Sequence, residues 1–81
     1  MHELSSAEAL ASLVNKEAER AGAKRVTVVS LVLGKKSCLM PDILRDCFAL
    51  FAEGTVSEGA ELRFSPAGDR EFYLESLEID S

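Results

Sequence analysis

The chain begins with Met1, His2 and Glu3, three residues whose donors could bind one metal ion. A bulky second residue favours retention of the initiator methionine, so a free amine is expected next to the imidazole. Both groups release a proton near neutral pH. Together with the deprotonated amide nitrogen of His2 they can close chelate rings in one plane, and the Glu3 carboxylate or backbone amide, or another group, would fill a fourth position. Square-planar nitrogen and oxygen geometry suits Ni(II) and Cu(II).

The same residues also have a plain structural interpretation. A lone histidine near a chain end is commonly solvated and without function. A glutamate at this place is commonly a surface charge or a favourable partner for a helix N-terminus. The spacing alone therefore leaves metal binding and an ordinary chain end as alternatives.

Size and charge limit what the protein can be. Its 81 residues make one small domain, and 47% hydrophobic with 28% charged residues is a globular composition. Fourteen acidic against nine basic residues give a net charge of −5, which disfavours binding to nucleic acid or anionic membranes. The sequence shows neither an apolar run of about 20 residues nor a secretory leader. We expect a cytoplasmic protein.

The two cysteines do not form a metal-binding pattern. Cys38 and Cys47 stand nine positions apart, with no CxxC pair. A disulfide is not expected in the cytoplasm. Both are predicted to pack as small hydrophobic side chains.

The segment 5–24 is predicted to be a helix with marked ends. Ser5 and Glu8 have the spacing of a capping box, and Gly22 suits the left-handed C-cap. Apolar residues at three-to-four spacing predict one buried stripe of Leu10, Leu13, Val14, Ala18 and Ala21.

A strand and a second helix follow. Residues 24–34 are rich in β-branched side chains and apolar on both faces, which predicts a strand that is central, or covered on one face and partly covered on the other. Residues 40–55 predict a helix with Pro41 in its first turn. Its wide apolar face consists of Ile43, Leu44, Cys47, Phe48, Leu50 and Phe51.

Two further strands complete the pattern. Residues 60–65 and 70–80 alternate apolar and polar side chains, with a change of phase near Ser76 that predicts a bulge. The second helix is long enough to serve as a crossover, so the first two strands can run parallel. The last two strands are predicted to form an antiparallel hairpin. The fold class is thus α+β, two helices on one face of a mixed three-stranded sheet. The other face would be exposed unless a partner or a second copy covers it.

In order along the chain, these pieces resemble the HypA family of nickel metallochaperones. The resemblance rests on "MHELS", an amphipathic helix, "VTVVSLVLGKKSCLMPDILRDCFALFAEGT", "EGAELRF" and "YLESLEID". It implies Ni(II) binding with His2 as the essential ligand, assisted by the Met1 amine, local backbone amides and Glu3. It also implies action with a HypB-type GTPase and delivery to the large subunit of [NiFe]-hydrogenase, and to urease in some organisms.

One part of the family pattern is missing. Family members carry a zinc-binding lobe with two CxxC pairs before the last strand, whereas here a short turn at 65–69 joins the strands. We therefore expect residues 1–81 to form a single nickel-binding domain without structural zinc, with altered regulation. A small core also favours a homo-oligomer or a domain-swapped dimer.

Two other classes of function compete with a nickel carrier. A degenerate relative could dock to maturation factors as a protein-interaction domain without binding metal. An enzyme is poorly supported, because the only histidine is His2 at the terminus and no phosphate-binding glycine loop is present.

Overall fold

Helices and strands follow one another in the predicted order α-β-α-β-β. The computed structural model describes residues 2–81. The elements are α1 (Glu3–Arg20), β1 (Arg25–Leu33), α2 (Pro41–Ala52), β2 (Glu61–Ser65) and β3 (Phe72–Asp80). In this part of the chain no helix combines the length and the apolar character needed to cross a bilayer.

The three strands form one mixed sheet with β1 in the centre. The strand order is β2-β1-β3, with β1 parallel to β2 and antiparallel to β3. The parallel pairing of β1 with β2 confirms the sequence prediction, and of the two alternatives predicted for β1 the structure has the central position. The predicted hairpin of β2 and β3 is wrong, because these two strands occupy opposite edges of the sheet. β1 is the most apolar strand, and the topology gives it a hydrogen-bonded neighbour on each side.

The segment 66–71 therefore crosses the end of β1 instead of making a tight turn between adjacent strands. Since β2 ends where β3 begins, the segment has only to span two strand spacings, about 10 Å. It is held by backbone bonds: the Gly34 N–H donates to the Glu71 carbonyl at 2.7 Å, and the Lys36 N–H donates to the Asp69 carbonyl at 2.5 Å. A Cβ at Gly34 would overlap the Asp69 carbonyl, so the crossing requires glycine there.

The predicted irregularity in the last strand is confirmed as a bulge. Ser30 of β1 lies opposite Ser76, and the next residue, Leu31, lies opposite Leu74, which leaves Glu75 as the additional residue on β3. The bulge keeps the apolar residues of β3 on the helix side of the sheet despite the change of phase.

Both helices pack on one face of the sheet around a common core. The core is formed by Ala7, Leu10, Ala11, Val14, Ala18, Val26, Val29, Leu31, Leu44, Phe48, Ala52 and Leu62. The predicted stripe of α1 is partly wrong: Leu13 is 42% exposed and Ala21 is exposed, whereas Ala7 and Ala11 are buried. Small side chains at the contact let the two helices approach closely, which favours the alanine side of α1.

The start of α1 differs from the prediction. The helix begins at Glu3 with His2 as its N-cap, and no side chain caps it. The Ser5 hydroxyl donates to the His2 carbonyl at 3.2 Å from inside the first turn. The capping box of Ser5 and Glu8 is therefore wrong, because the apolar pattern that suggested it begins one turn after the helix does.

The end of α1 confirms the predicted glycine cap. Gly22 has a φ of 69°. The Gly22 N–H donates to the Glu19 carbonyl at 3.0 Å, and the Ala23 N–H donates to the Ala18 carbonyl at 2.9 Å. These two bonds form a Schellman motif, which satisfies two of the last carbonyls of the helix.

Long polar side chains cover the middle of the other sheet face. Val28 and Val32 are 6% and 2% exposed, although they lie outside the cluster packed by the helices. The Arg63 guanidinium contacts the Glu61 carboxylate at 2.8 Å and the Glu78 carboxylate at 3.5 Å. Since Val28 pairs with both glutamates in the register, this arginine lies over it. The centre of this face is thus covered within the chain itself, although its edges are exposed.

The cysteines and the second helix show how far the apolar pattern predicts burial. Cys47 packs half-buried against the core as expected. Cys38 is exposed, so the prediction that it packs is wrong; it lies in a loop with a φ of 66°, and its thiol contacts the Lys36 carbonyl instead of the core. On α2 the predicted face is too wide, because Ile43 and Leu50 are exposed.

Segment 66–71 crosses the end of β1 so closely at Gly34 that one added methyl group there should lower the stability of the fold. Gly34→Ala should lower the free energy of unfolding by about 1–3 kcal/mol, because the added Cβ must displace the Asp69 backbone. Urea denaturation followed by circular dichroism measures the change. Lys35→Ala, at the exposed neighbouring position, is the control and should change stability little. Equal effects of the two substitutions would contradict the crossing.

Candidate metal site at the start of the chain

The first helical residue, Glu3, is bound to the start of the other helix. Its Oε2 accepts a hydrogen bond from the Met40 backbone N–H at 2.9 Å. Only 6% of Glu3 is exposed, so the carboxylate lies between the N-termini of α1 and α2. A contact between residues 37 positions apart thus fixes where the beginning of the chain sits on the domain.

The sequence of α2 explains why a carboxylate is needed there. Met40 is the N-cap residue of α2, and it offers no side-chain oxygen to cap the helix. Pro41 follows as the first helical residue and has no N–H. The Glu3 carboxylate satisfies the N–H of the N-cap residue and places negative charge at the positive end of α2, where the helix dipole favours it.

This environment favours the ionised form of Glu3. The hydrogen bond from the Met40 N–H lowers the pKa of Glu3, and a hydrogen bond from its own backbone N–H acts in the same direction. Partial burial opposes the shift but is the weaker effect. The side chain is therefore a carboxylate at neutral pH.

His2 is exposed immediately before α1. Its carbonyl accepts bonds from the Ser6 N–H at 2.9 Å and from the Ser5 hydroxyl, as an N-cap carbonyl should. The imidazole is on the surface and accessible to a metal ion. The amide nitrogen of His2 precedes the first helical residue, so its deprotonation would not break the hydrogen-bond ladder of α1.

The donors predicted from the sequence differ in their availability. The Met1 amine lies outside the residues that the structure describes. Within residues 2–81 no group of three or more His, Cys, Asp or Glu side chains is placed to hold a metal ion. A site formed from described side chains alone is therefore not supported, and a site at His2 would need the terminal amine or backbone nitrogens.

Electrostatics at this end of the molecule set a condition on any bound cation. The N-terminus of a helix carries partial positive charge, which repels a metal ion. Deprotonated backbone nitrogens and the ionised Glu3 carboxylate supply the opposite charge. A metal held by nitrogens that lose protons on binding satisfies this condition better than one held by neutral donors.

Sequence reasoning found Glu3 but missed its contact with Met40. The detectable signal was the dipeptide Met40-Pro41, in which a helix begins with proline and has no Ser, Thr, Asp or Asn before it. Where no neighbouring side chain caps the start of a helix, a polar group from another part of the fold is expected to accept a hydrogen bond there. Among the acidic residues, the sequence alone did not indicate which one.

Comparison with known proteins adds a family and a set of relatives. The family model described as hydrogenase/urease nickel incorporation, metallochaperone, hypA matches residues 1–79. The hydrogenase maturation factor HypA of Aeromonas salmonicida is 44% identical over 64 residues, which is 79% of this chain and 57% of that protein. The protein of the same name from Archaeoglobus fulgidus is 42% identical over 65 residues, covering 80% and 59%. The chain thus spans less than two thirds of the length of these relatives.

Solved structures share the fold. The solution structure of the Ni metallochaperone HypA from Helicobacter pylori superposes with a TM-score of 0.87 and 19% identity, covering 100% of this chain and 99% of that one. A second solution structure, of a HypA protein, gives a TM-score of 0.78 at 21% identity, with 98% and 96% covered. At these identities the likeness supports the arrangement of helices and strands only.

The contact of Glu3 with Met40 predicts a pH-dependent contribution to stability. Because the folded protein lowers the pKa of Glu3, its ionised form stabilises the fold above the ordinary glutamate pKa of about 4.3. That stabilisation is lost as the pH falls through the lowered value. Metal-free Glu3→Gln should therefore unfold at lower urea than wild type at pH near 7, and the difference should vanish in acid.

The matched control for this prediction is Glu8→Gln, which neutralises an exposed carboxylate one turn further along the same helix. It should change the urea midpoint little at either pH. Similar losses for both variants near neutral pH would show that helix charge alone, and not the Met40 contact, accounts for the effect.

Proposed function

Because the chain belongs to the HypA family, we propose that it binds Ni(II) at its N-terminus and delivers the ion for the maturation of [NiFe]-hydrogenase, and of urease where that enzyme is a client. Nickel is the cargo of this function, and no reaction is catalysed on it. The ligands we assign are the Met1 amine, His2 and Glu3. The match to the family from residue 1 onward is the observation that carries this proposal.

The placement of His2 and Glu3 supports a division of labour between them. His2 would bind the ion through its exposed imidazole and its amide nitrogen. The Glu3 carboxylate is bound to the Met40 N–H, so we assign its side chain to α2 and its backbone nitrogen to the metal, which would replace the hydrogen that this nitrogen donates to the same carboxylate. The carboxylate then fixes the chain immediately after the ligands. Nitrogen donors of this kind favour square-planar Ni(II).

Copper must be considered as a competitor. Affinities of such nitrogen sites follow the usual order of divalent metals, in which Cu(II) binds more tightly than Ni(II). We therefore propose that selectivity in the cell comes from metal supply and from partners. A HypB-type GTPase and the hydrogenase large subunit are the partners we propose, on family resemblance.

The remaining features of the proposal concern the domain as a whole. We propose that residues 1–81 act as one nickel-binding domain in which a short connection replaces a zinc lobe, so that structural zinc is not required. We propose that the protein acts in the cytoplasm, where the thiols of Cys38 and Cys47 would stay reduced. A homo-oligomer or domain-swapped dimer stays a prediction.

The second candidate is a protein-interaction domain that binds no metal. The buried position of Glu3 favours it in one respect, since a structural role for this residue is sufficient to explain its presence. The two candidates differ only in what His2 and the terminal amine do.

Nickel titration of untagged protein separates the candidates. Isothermal titration calorimetry should show about one Ni(II) per chain, and His2→Gln should weaken binding by more than about 100-fold, since loss of an outer-shell partner alone costs 10–100-fold. Acetylation of the terminal amine should have a comparable effect. Glu8→Gln is the control and should bind as wild type does. If untagged wild-type protein takes up no nickel, the protein-interaction domain is the function left.

Proton release tests the assignment of backbone nitrogens. The amides of His2 and Glu3 must each lose one proton, in addition to any lost by the other donors, so binding at pH near 7 should release at least about two protons per Ni(II), and affinity should fall as the pH is lowered. Titration in two buffers of different ionisation enthalpy gives the number. A release of about one proton or less would mean that the amine and the imidazole bind without both amides, and the chelate assigned here would be wrong.

A further inference from the structure

The second helix carries a largely exposed apolar stripe, of which Cys47 alone packs partly against the core. Met40, at the N-cap, and Ile43 and Leu50 are 58%, 43% and 68% exposed, and Cys47 is half-buried. These four residues, which we call the α2 seam, follow one another at steps of three, four and three. This is the spacing of one helix face that packs against another helix.

The seam is distinct from the stripe that packs in the core. Leu44, Phe48 and Ala52 are at most 2% exposed and already pack in the core. The seam therefore adds exposed apolar surface that gives little stability to the isolated domain. Apolar surface grouped in this way, and rimmed by polar residues, is typical of an interaction site.

Exposed apolar surface continues from the seam onto α1. Leu4 is 58% exposed and directly follows Glu3, whose carboxylate is bound to the Met40 N–H. It shares its side of α1 with Asn15, eleven residues later, whose side chain contacts Ser57 in the connection after α2. Leu4 thus lies on the α2 side of α1, beside the beginning of the seam.

The charges that α2 itself carries beside the seam are mostly acidic. Between residues 41 and 53 the charged side chains are three carboxylates, Asp42, Asp46 and Glu53, and one cation, Arg45. Asp46 and Glu53 lie four residues before and three residues after Leu50, so they flank it on the helix surface.

The cation of α2 does not offset this charge at the seam. Arg45 is directed toward β2: its Nε donates to the Leu62 carbonyl at 3.4 Å, and its guanidinium lies 4.8 Å from the centre of the Phe64 ring. It also pairs with Asp42 at 2.9 Å. The apolar residues of the seam are therefore flanked by negative charge.

We propose that the α2 seam is a docking surface for an amphipathic helix of a partner protein, one that presents leucine-like residues at three-to-four spacing between flanking lysines or arginines. Apolar anchors would pack along the seam, and the flanking cations would meet Asp46 and Glu53. A second copy of this chain would bring the same carboxylates together. Anionic lipid would be repelled by a chain of net charge −5.

The location of the seam gives the docking a consequence. Met40 is both the first residue of the seam and the residue whose N–H holds Glu3. A helix docked on the seam would lie beside the N-terminal segment to which we assign nickel. The docking itself rests on exposure and charge, not on the metal, and can be tested with nickel-free protein.

The experiment uses two synthetic helical peptides of about 18 residues with leucine at the a and d positions of the heptad. One carries lysine at the flanking positions and the other carries glutamate. Binding to the full chain in the presence of a chelator is measured by fluorescence anisotropy at low and at physiological salt. The lysine peptide should bind one per chain, at least about 10-fold more tightly than the glutamate peptide, and more weakly as salt rises.

Substitutions in the chain locate the site. Leu50→Glu and the milder Leu50→Asn should each weaken binding of the lysine peptide by at least about 10-fold, because both replace the most exposed apolar residue of the seam with a polar one. Leu13→Glu is the matched control: Leu13 is 42% exposed on α1 beside β3, and its substitution should leave binding unchanged. Circular dichroism and the unfolding midpoint show that each variant folds.

Several results would overturn the proposal. Equal binding of both peptides, binding insensitive to both Leu50 substitutions, or loss of binding in Leu13→Glu would each exclude the seam as a basic-helix site. A dimer in analytical ultracentrifugation that Leu50→Asn dissociates would make a second copy the occupant. Sedimentation with phosphatidylserine vesicles that Leu50→Asn abolishes would make the occupant a membrane.

Discussion

The burial of β1 on all sides is the constraint from which the rest of the fold follows. A strand with apolar side chains on both faces needs a hydrogen-bonded neighbour at each edge and cover above and below. β2 and β3 supply the two edges, the helices cover one face, and the Arg63 side chain with its two glutamates lies over the other. Because the flanking strands lie on opposite sides of β1, the chain must cross its end, and Gly34 makes that crossing sterically possible.

At the beginning of the chain, a single residue takes part in both helices. Glu3 is the first residue of α1 and the carboxylate at the start of α2. A terminal segment that carried a metal on freely moving residues would lose conformational entropy on binding. Holding Glu3 in place limits that loss to the residues before it. The proposed ligands are thus attached to the domain at the point where both helices start.

The fold was predictable where the signal is local, and the errors arise where distant parts of the chain compete. Gly22 and Pro41 have backbone preferences that do not depend on context, and their roles as C-cap and first helical residue are confirmed. The pairing of β3 was missed because alternation identifies a strand but not its neighbour. Leu13 was placed in the core because periodicity gives a stripe whose centre only packing can fix.

The candidate site shows the same limit. Spacing predicted His2 and Glu3 as metal donors, since chelation by adjacent residues is a local property. It could not show that Glu3 is buried against Met40, because that contact requires the whole fold to bring the two helix starts together.

Helix α2 carries more apolar residues than its packing in the core requires, and the additional residues indicate a partner. A helix that packs on one side needs only one stripe, and Leu44, Phe48 and Ala52 provide it. Exposed apolar residues next to such a stripe favour aggregation, so a protein that contains them requires some compensation. Acidic residues around the seam provide it, because they oppose association of identical chains while attracting a basic partner. A surface specific for an oppositely charged helix thus explains both the acidic side chains and the exposed apolar side chains of α2.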